Sequence, residues 1–414
     1  MTVTTMPSVT VLDLLLHGER VGTLTLLPGD RVLFTFSDDH IARERRPTLS
    51  LSFKGDLGAL VTDVPITQTR LPPFFSNLLP EGPLRTYLAA RARVKEQREF
   101  FLLWALGRDL PGAVTVRPAE GQDWPPNART GDDGDGQDRK PEAALRFSLA
   151  GVQLKFSAVM ERTGGLTIPA EGVGGAWILK LPSTIHEAVP ENEFAMMCLA
   201  RAVGITVPEV KLIDLEDVSG LPEGIGRLSG RALAVQRFDR TPEGNAVHIE
   251  DFAQVFGVYP QDKYKRATYR NIAEVIWAET GQDGIGEFIR RLVFNALIGN
   301  GDMHLKNWSL IYPDGHQAAL APGYDFVSTI AYIEDDAMAL KLVRSRKFAD
   351  LSLDALAHFA AKARLPQTLV LHVARETVAR FNDAWTGSAD DLPLSRETRR
   401  LIDAHVRSVP LSEV

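Results

Sequence analysis

The residues best suited by type and spacing to do chemistry lie in GNGDMHLKNWSLIYPDGHQAALAPGYDF, residues 299–326. Asp302 is followed five residues later by Asn307, and Tyr324-Asp325-Phe326 closes the segment. This order suits phosphoryl transfer from a nucleotide. The first aspartate accepts the proton of an attacking hydroxyl. The asparagine turns back toward a magnesium ion bridging the phosphates, and the second aspartate is the other ligand. Only a short, sharply turned loop lets Asp302 and Asn307 face one cleft. Taken singly, Asp302 reads better as a turn cap and Asn307 as the start of a strand. The combination carries the reading.

These side chains need elements to position them. Ile285, Phe288, Ile289, Leu292, Val293, Ala296 and Leu297 recur at helical intervals and predict an amphipathic helix. Gly299-Asn300-Gly301 should end it. WSLIY reads as a strand, PDG as a turn and HQAALAPGYDF as the antiparallel return, which sets Asp325 beside Asn307. Upstream, Lys180 ends the apolar strand AWILK, where it can reach the α- and β-phosphates of a nucleotide or snorkel to water. Glu193 opens the next helix, where it either holds Lys180 or complements the helix dipole. ALAVQRFDR reads as a strand running into a connector. Backbone groups of Gln236 and Phe238, with Arg237 between them, would meet adenine there. SLAGVQLK, residues 148–155, has a single glycine and is weak as a phosphate loop. The amides around Ala150 and Gly151 can still cradle phosphates, with Lys155 adding charge.

The chain of 414 residues is 44% hydrophobic and 24% charged, a soluble globular balance with length for two or three domains. Short strands, VTVLDLLLH, VGTLTLL, VLFTF and LSLSF, fill the first fifty residues. The expected division is a β-rich subdomain plus helices over 1–117 and a Gly-, Asp- and Pro-rich linker over 118–143. A nucleotide-binding part over 144–240 and a helical lobe carrying the catalytic loop over 241–414 follow. One cysteine, Cys198, excludes a disulfide framework and a Cys-rich zinc site, and fits the reducing cytoplasm. The net charge of −7 opposes tight, sequence-independent nucleic-acid binding by the whole surface. The basic run Arg344, Arg346 and Lys347 reads as a solvated loop or a local nucleic-acid contact. The first residues lack a basic start, and Asp13 and His17 cut their apolar run, so neither signal peptide nor membrane span is expected. Asp302 and His304 form a D-x-H pair without a third zinc ligand, and no G-x-S-x-G is present.

Several segments together resemble HipA, the serine/threonine kinase toxin family of bacterial toxin–antitoxin modules. They are PPFFSNLLPEG, ALGRDLPGAV, FSLAGVQLKFS, WILKLP, NEFAMMCLARAVGI, AVQRFDR, EDFAQVFGV, NALIGNGDMHLKNWSLIY and PGYDF, in order over residues 70–330. The resemblance implies an α+β, protein-kinase-like fold with a β-rich N-terminal lobe and a mainly helical C-terminal lobe. It places the catalytic aspartate on Asp302 and magnesium on Asn307 and Asp325. It places ATP contacts on Ala150, Gly151, Val152, Gln153, Leu154, Lys155, Lys180, Gln236, Arg237, Phe238, His304, Asn307, Tyr324 and Asp325. It makes Ser148 an autophosphorylation site whose added charge ejects the phosphate-binding loop. It also implies a HipB-like helix-turn-helix antitoxin dimer that carries operator DNA, and an aminoacyl-tRNA synthetase as protein substrate. Gln236 stands where an acidic residue is familiar, and Val327 where the D-F-G glycine would be. The alternatives are a kinase-like small-molecule phosphotransferase and a non-catalytic co-repressor in an antitoxin–DNA complex.

Overall fold

A computed structural model describes residues 9–55, 58–119, 155–160, 166–168, 175–221, 228–388 and 391–413. Among these residues the strands form three sheets. The first contains β1 (Val11–Leu16), β2 (Glu19–Leu27), β3 (Arg31–Phe36), β4 (Thr67–Gln68) and β5 (Val114–Pro118), in the order β4-β3-β2-β1-β5. Leu14, Leu24, Phe34 and Val116 from this sheet share one core with Phe75, Phe101 and Leu103 from the helices between β4 and β5. The expected strand LSLSF does not form. Leu51–Phe53 is a 3-10 turn instead. The Ser50 hydroxyl accepts the Ser52 N–H at 3.1 Å, so a side chain satisfies the backbone locally and competes with strand pairing.

The second sheet contains β6 (Lys155–Met160), β7 (Leu166–Thr167), β8 (Trp177–Lys180), β9 (Val210–Asp214), β10 (Val218–Ser219) and β11 (Arg231–Gln236). Its order is β10-β7-β6-β8-β11-β9. β6 and β11 flank β8 antiparallel, which sets Lys155 and Leu233 on either side of Lys180. The helix Val189–Val203 packs on this sheet through Met196, Ala200 and Val203, joining Leu233 and Val235 in one core.

The third sheet is β12 (His248–Asp251), β13 (Ser309–Tyr312) and β14 (Ala319–Leu320). Around it lie the helices Tyr269–Leu297, Leu353–Lys362, Gln367–Ser388 and Arg396–Ser408. The long helix breaks at Gly281 (φ 65°, ψ −146°). Its second half buries the expected apolar face, and its polar face is narrower than that periodicity suggests. Arg291 and Asn295 are buried along with Ile285, Phe288 and Leu292. The helix lies between Gln367–Ser388 and the β13–β14 hairpin, which leaves only a narrow polar stripe through Asp283, Glu287 and Arg290 reaching solvent. The α+β, kinase-like architecture with a helical C-terminal lobe is as expected.

Buried polar groups fasten the first unit to the others. Arg237, just past β11, makes a two-pronged contact with Asp239 (both 2.9 Å) and reaches Asp109 of the first unit at 2.9 Å. Glu250 of β12 accepts hydrogen bonds from the Ser50 hydroxyl, the Leu51 N–H and the Tyr312 hydroxyl. Burial pushes the Glu250 carboxyl up to about 7, against the three donors that hold it down. The folded protein therefore keeps a proton that a free glutamate loses near 4.5. This site's stabilisation is complete below that value and is lost as pH rises through about 7. Glu250→Gln should flatten the slope and raise the unfolding free energy at pH ~8 by about 2–3 kcal/mol. Urea unfolding at pH ~5 and ~8 checks it; an unchanged pH dependence would contradict the assignment.

Candidate active site

The candidate catalytic loop is built from the end of the long helix. Ile298 caps that helix, and Gly299 follows in the left-handed region (φ 65°), where a Cβ would strike Ile330 at 2.4 Å. Asn300, wholly buried, is the hub. Its amide donates to Asn295 Oδ1 (2.8 Å) and to the Asp325 carbonyl (3.4 Å), and its Oδ1 accepts the Asp302 N–H (3.0 Å). Asn307 closes the loop by donating from Nδ2 to the Asp302 carbonyl at 2.8 Å. That uses the nitrogen end of the amide and leaves its oxygen as the end suited to a cation. The Asp302 side chain is 53% exposed, so it can meet a reactant arriving from solvent. Burial of its inner face raises its pKa, against the hydrogen bond from Tyr264 and the charge of Lys263.

The hairpin forms as the turn residues predict, with Leu310 opposite Leu320 and Gly315 at φ 77°. Its return strand is shorter than expected and ends at Leu320. Gly323 N–H then donates to Thr206 O at 2.7 Å, drawing the chain toward the second sheet. Tyr324 stays beside the hairpin, its hydroxyl 2.6 Å from Ser309 Oγ and donating to Lys306 O at 2.9 Å. Phe326 is buried edge-on against Phe294, ring centroids 5.3 Å apart. A Cβ on Gly323 would lie 2.7 Å from the Phe326 ring, so that glycine is needed for the fold-back.

Between Tyr324 and Phe326, Asp325 adopts φ 56°, a left-handed backbone uncommon outside glycine and concentrated where structure over-determines a residue. Its carboxylate receives Lys180 at Oδ1 and Lys155 at Oδ2, the latter at 3.1 Å. Lys180 also pairs with Glu193, the fifth residue of Val189–Val203. Burial disfavours charge on Asp325, but Lys155 and Lys180 outweigh it and hold the carboxyl well below the usual range. Burial raises Glu193, which shares Lys180 with the stronger acid. Lys180 stays protonated because the two carboxylates overcome its desolvation. Asn192 clamps the chain just beyond, exchanging hydrogen bonds with Ser328 N–H (3.0 Å) and Ser328 O (3.1 Å).

Lys155, Lys180, Glu193, Asp302, Asn307, Tyr324 and Asp325 line one cleft of about 1850 Å3, which Gln236, Arg237, Phe238 and His304 also border. A small-molecule site is typically ~300–1000 Å3, so this cleft has room for a nucleotide and a second reactant. Gln236 N–H is taken by Glu209 O at 2.8 Å. The Arg237 side chain is turned into the Asp109–Asp239 cluster. At this edge, backbone at Gln236 and Phe238 and the ring of Phe238, 5.5 Å from that of Tyr324, are what remain for a base. His304 is buried, and desolvation lowers it to about 3, so it is neutral. Its Nδ1 accepts the Lys306 N–H at 3.2 Å. Ser148, Ala150, Gly151, Val152, Gln153 and Leu154 lie outside the described residues.

Among the described residues no group of three or more His, Cys, Asp or Glu side chains is arranged to hold a metal. Magnesium with a nucleotide needs fewer protein ligands: one or two hard oxygens, with phosphates and water supplying the rest. The Asn307 amide oxygen and the Asp325 carboxylate fit that requirement.

Sequence reasoning missed several functional neighbours. Glu81 of the first unit pairs with Lys263 at 3.0 Å and approaches Lys306 at 3.5 Å. Lys306 also donates to Asn77 O at 2.9 Å and pairs with Asp251 at 3.3 Å. The first unit therefore braces the catalytic loop. PPFFSNLLPEG, which holds Asn77 and Glu81, was the available signal, but nothing in it gives the partner.

The chain matches the family described as the HipA-like C-terminal domain over residues 147–385 and the HipA N-terminal domain over 12–117. It is 59% identical over 409 residues to a Sinorhizobium fredii protein named "Putative kinase Y4dM", covering 98% of each chain. It is 28% identical to the serine/threonine-protein kinase toxin HipA of Shewanella oneidensis, covering 74% of each. Its fold is similar to a chain in the solved complex of Shewanella oneidensis HipA, HipB and operator DNA. The TM-score is 0.72 at 22% identity, covering 97% of this chain and 96% of that one.

Proposed function

This chain belongs to the HipA family of kinase toxins, and we propose that it is an ATP-dependent serine/threonine protein kinase acting as the toxin of a type II toxin–antitoxin module. The observation that carries the reading is the convergence of Lys155 and Lys180 on Asp325, with Glu193 backing Lys180, in the same cleft as Asp302 and Asn307. Lys180 and Lys155 bind the ATP phosphates, and the base lies along Gln236, Arg237 and Phe238. His304 and Tyr324 border the nucleotide from the catalytic lobe. Asp302 takes the proton as the acceptor oxygen bonds to the γ-phosphorus. The bond from that phosphorus to the bridging oxygen breaks, and ADP leaves. Magnesium held by Asn307 and Asp325 supplies charge neutralisation on the phosphates.

The family relationship supports the finer parts of the reading. A HipB-like helix-turn-helix dimer neutralises the kinase and carries it to operator DNA in the cytoplasm. Phosphorylation of Ser148 silences it, through the segment that includes Ala150, Gly151, Val152, Gln153 and Leu154. The acceptor is an aminoacyl-tRNA synthetase. No helix among the described residues is long and apolar enough to cross a membrane.

A panel of aminoacyl-tRNA synthetases incubated with γ-labelled ATP, magnesium and the protein tests this. One synthetase should be labelled on serine or threonine, and Ser148→Ala should lose self-labelling while keeping that transfer. Label passing only to a small molecule would favour the phosphotransferase alternative. ATP binding with no transfer to any acceptor would favour the co-repressor.

A further inference from the structure

Asp302 is half exposed on a loop, so the choice of oxygen presented to an acceptor must be set by a neighbour. We propose that Tyr264 is the positioning residue of the catalytic base: its phenol donates to Asp302 Oδ1, fixes the carboxylate plane and leaves Oδ2 for the acceptor hydroxyl. The inference rests on the reading of Asp302 as that base.

Tyr264 is itself held from three directions. Its ring stands edge-on to buried His304, with centroids 4.9 Å apart and planes at 87°. The Lys263 ammonium lies 5.8 Å from its ring centroid, paired with Glu81 at 3.0 Å. Its hydroxyl is on Asp302. The position of the base is thereby referred to the first unit, through Glu81 and Lys263. His304 does not compete for the carboxylate: its Nε2 is 3.9 Å from Asp302 Oδ1 and the ring is neutral. Burial and the nearby Asp302 charge push the Tyr264 phenol well above the usual tyrosine range, so it remains a donor. The other charges acting here are Lys263, Asp325 and Lys155 on Asp302, and Glu81 and Asp336 on Tyr264.

Tyr264→Phe removes the donor and keeps the ring. ATP hydrolysis by the whole protein is the probe, since water replaces the unknown acceptor. The kcat should fall about ten- to a hundredfold. The KM for ATP should stay within about twofold, because the contact is not to nucleotide. The acidic limb of kcat/KM should move up about one pH unit, because a donor favouring the carboxylate is gone. A second readout does not depend on turnover. Protein labelled with 13C at aspartate carboxyls, with Asp302→Asn for assignment, gives the Asp302 titration directly. It should move up in Tyr264→Phe. An unmoved Asp302 titration, or a Phe variant that turns over ATP as fast as or faster than wild type, overturns the proposal. A moved titration in a protein that never turns over ATP would support the Tyr264–Asp302 coupling and remove the kinase reading instead.

Discussion

Asp325→Asn should lower γ-phosphate transfer by at least about a thousandfold while leaving the protein folded. The amide matches the carboxylate in shape and tolerates the left-handed backbone that Asp325 adopts at φ 56°, so the substitution tests charge. What it removes is the one carboxylate that Lys155 and Lys180 share, and with it the anionic ligand we propose for magnesium. Lys180 keeps Glu193 and stays protonated. The expected loss of stability is therefore small, about 1–2 kcal/mol, well short of the ~3–5 kcal/mol for stranding a buried charge. Single-turnover transfer and thermal unfolding measured together separate the two effects. Transfer above a tenth of wild type would exclude Asp325 from the chemistry.

The contrast with Lys180 is instructive. Glu193 is almost fully buried, and Lys180 is its ion-pair partner. Removing that lysine would damage both fold and chemistry, whereas Asp325 sits where two cations back each other up. This asymmetry makes the aspartate the cleaner probe of the site.

The catalytic loop and its hairpin were legible in the sequence because their signals are local. Helical periodicity stops at Gly299-Asn300-Gly301, and PDG turns one apolar run back on the other. Lys180 and Glu193 were legible as a strand end and a helix start, and the structure pairs them. Arg237 was read as part of the adenine edge. Its guanidinium is buried between Asp239 and Asp109, the latter 128 residues away, and no local pattern encodes such a partner. Tyr264 and Glu81 escaped notice for the same reason. So did β12, whose pairing with β13 joins residues some sixty positions apart. LSLSF alternates like a strand, yet Ser50 turns it into a cap and a contact for Glu250. The helix over 285–297 was recognised as amphipathic, but apolar periodicity could not report that Arg291 and Asn295 would also be buried.

The second large effect belongs to Asp302. In Asp302→Asn the side-chain amide oxygen would still accept from Tyr264 and keep the loop, since the Asn300 and Asn307 contacts are to Asp302 backbone atoms. The amide would not accept a proton. A positioned general base contributes about 10^2- to 10^4-fold, so Asp302→Asn should lose transfer within that range with ATP affinity retained. The decisive measurement is single-turnover passage of label from γ-labelled ATP into protein, wild type beside Asp302→Asn, with ATP binding followed calorimetrically in both. The account predicts equal ATP binding and transfer by the wild type alone. Equal transfer by the two proteins would contradict it.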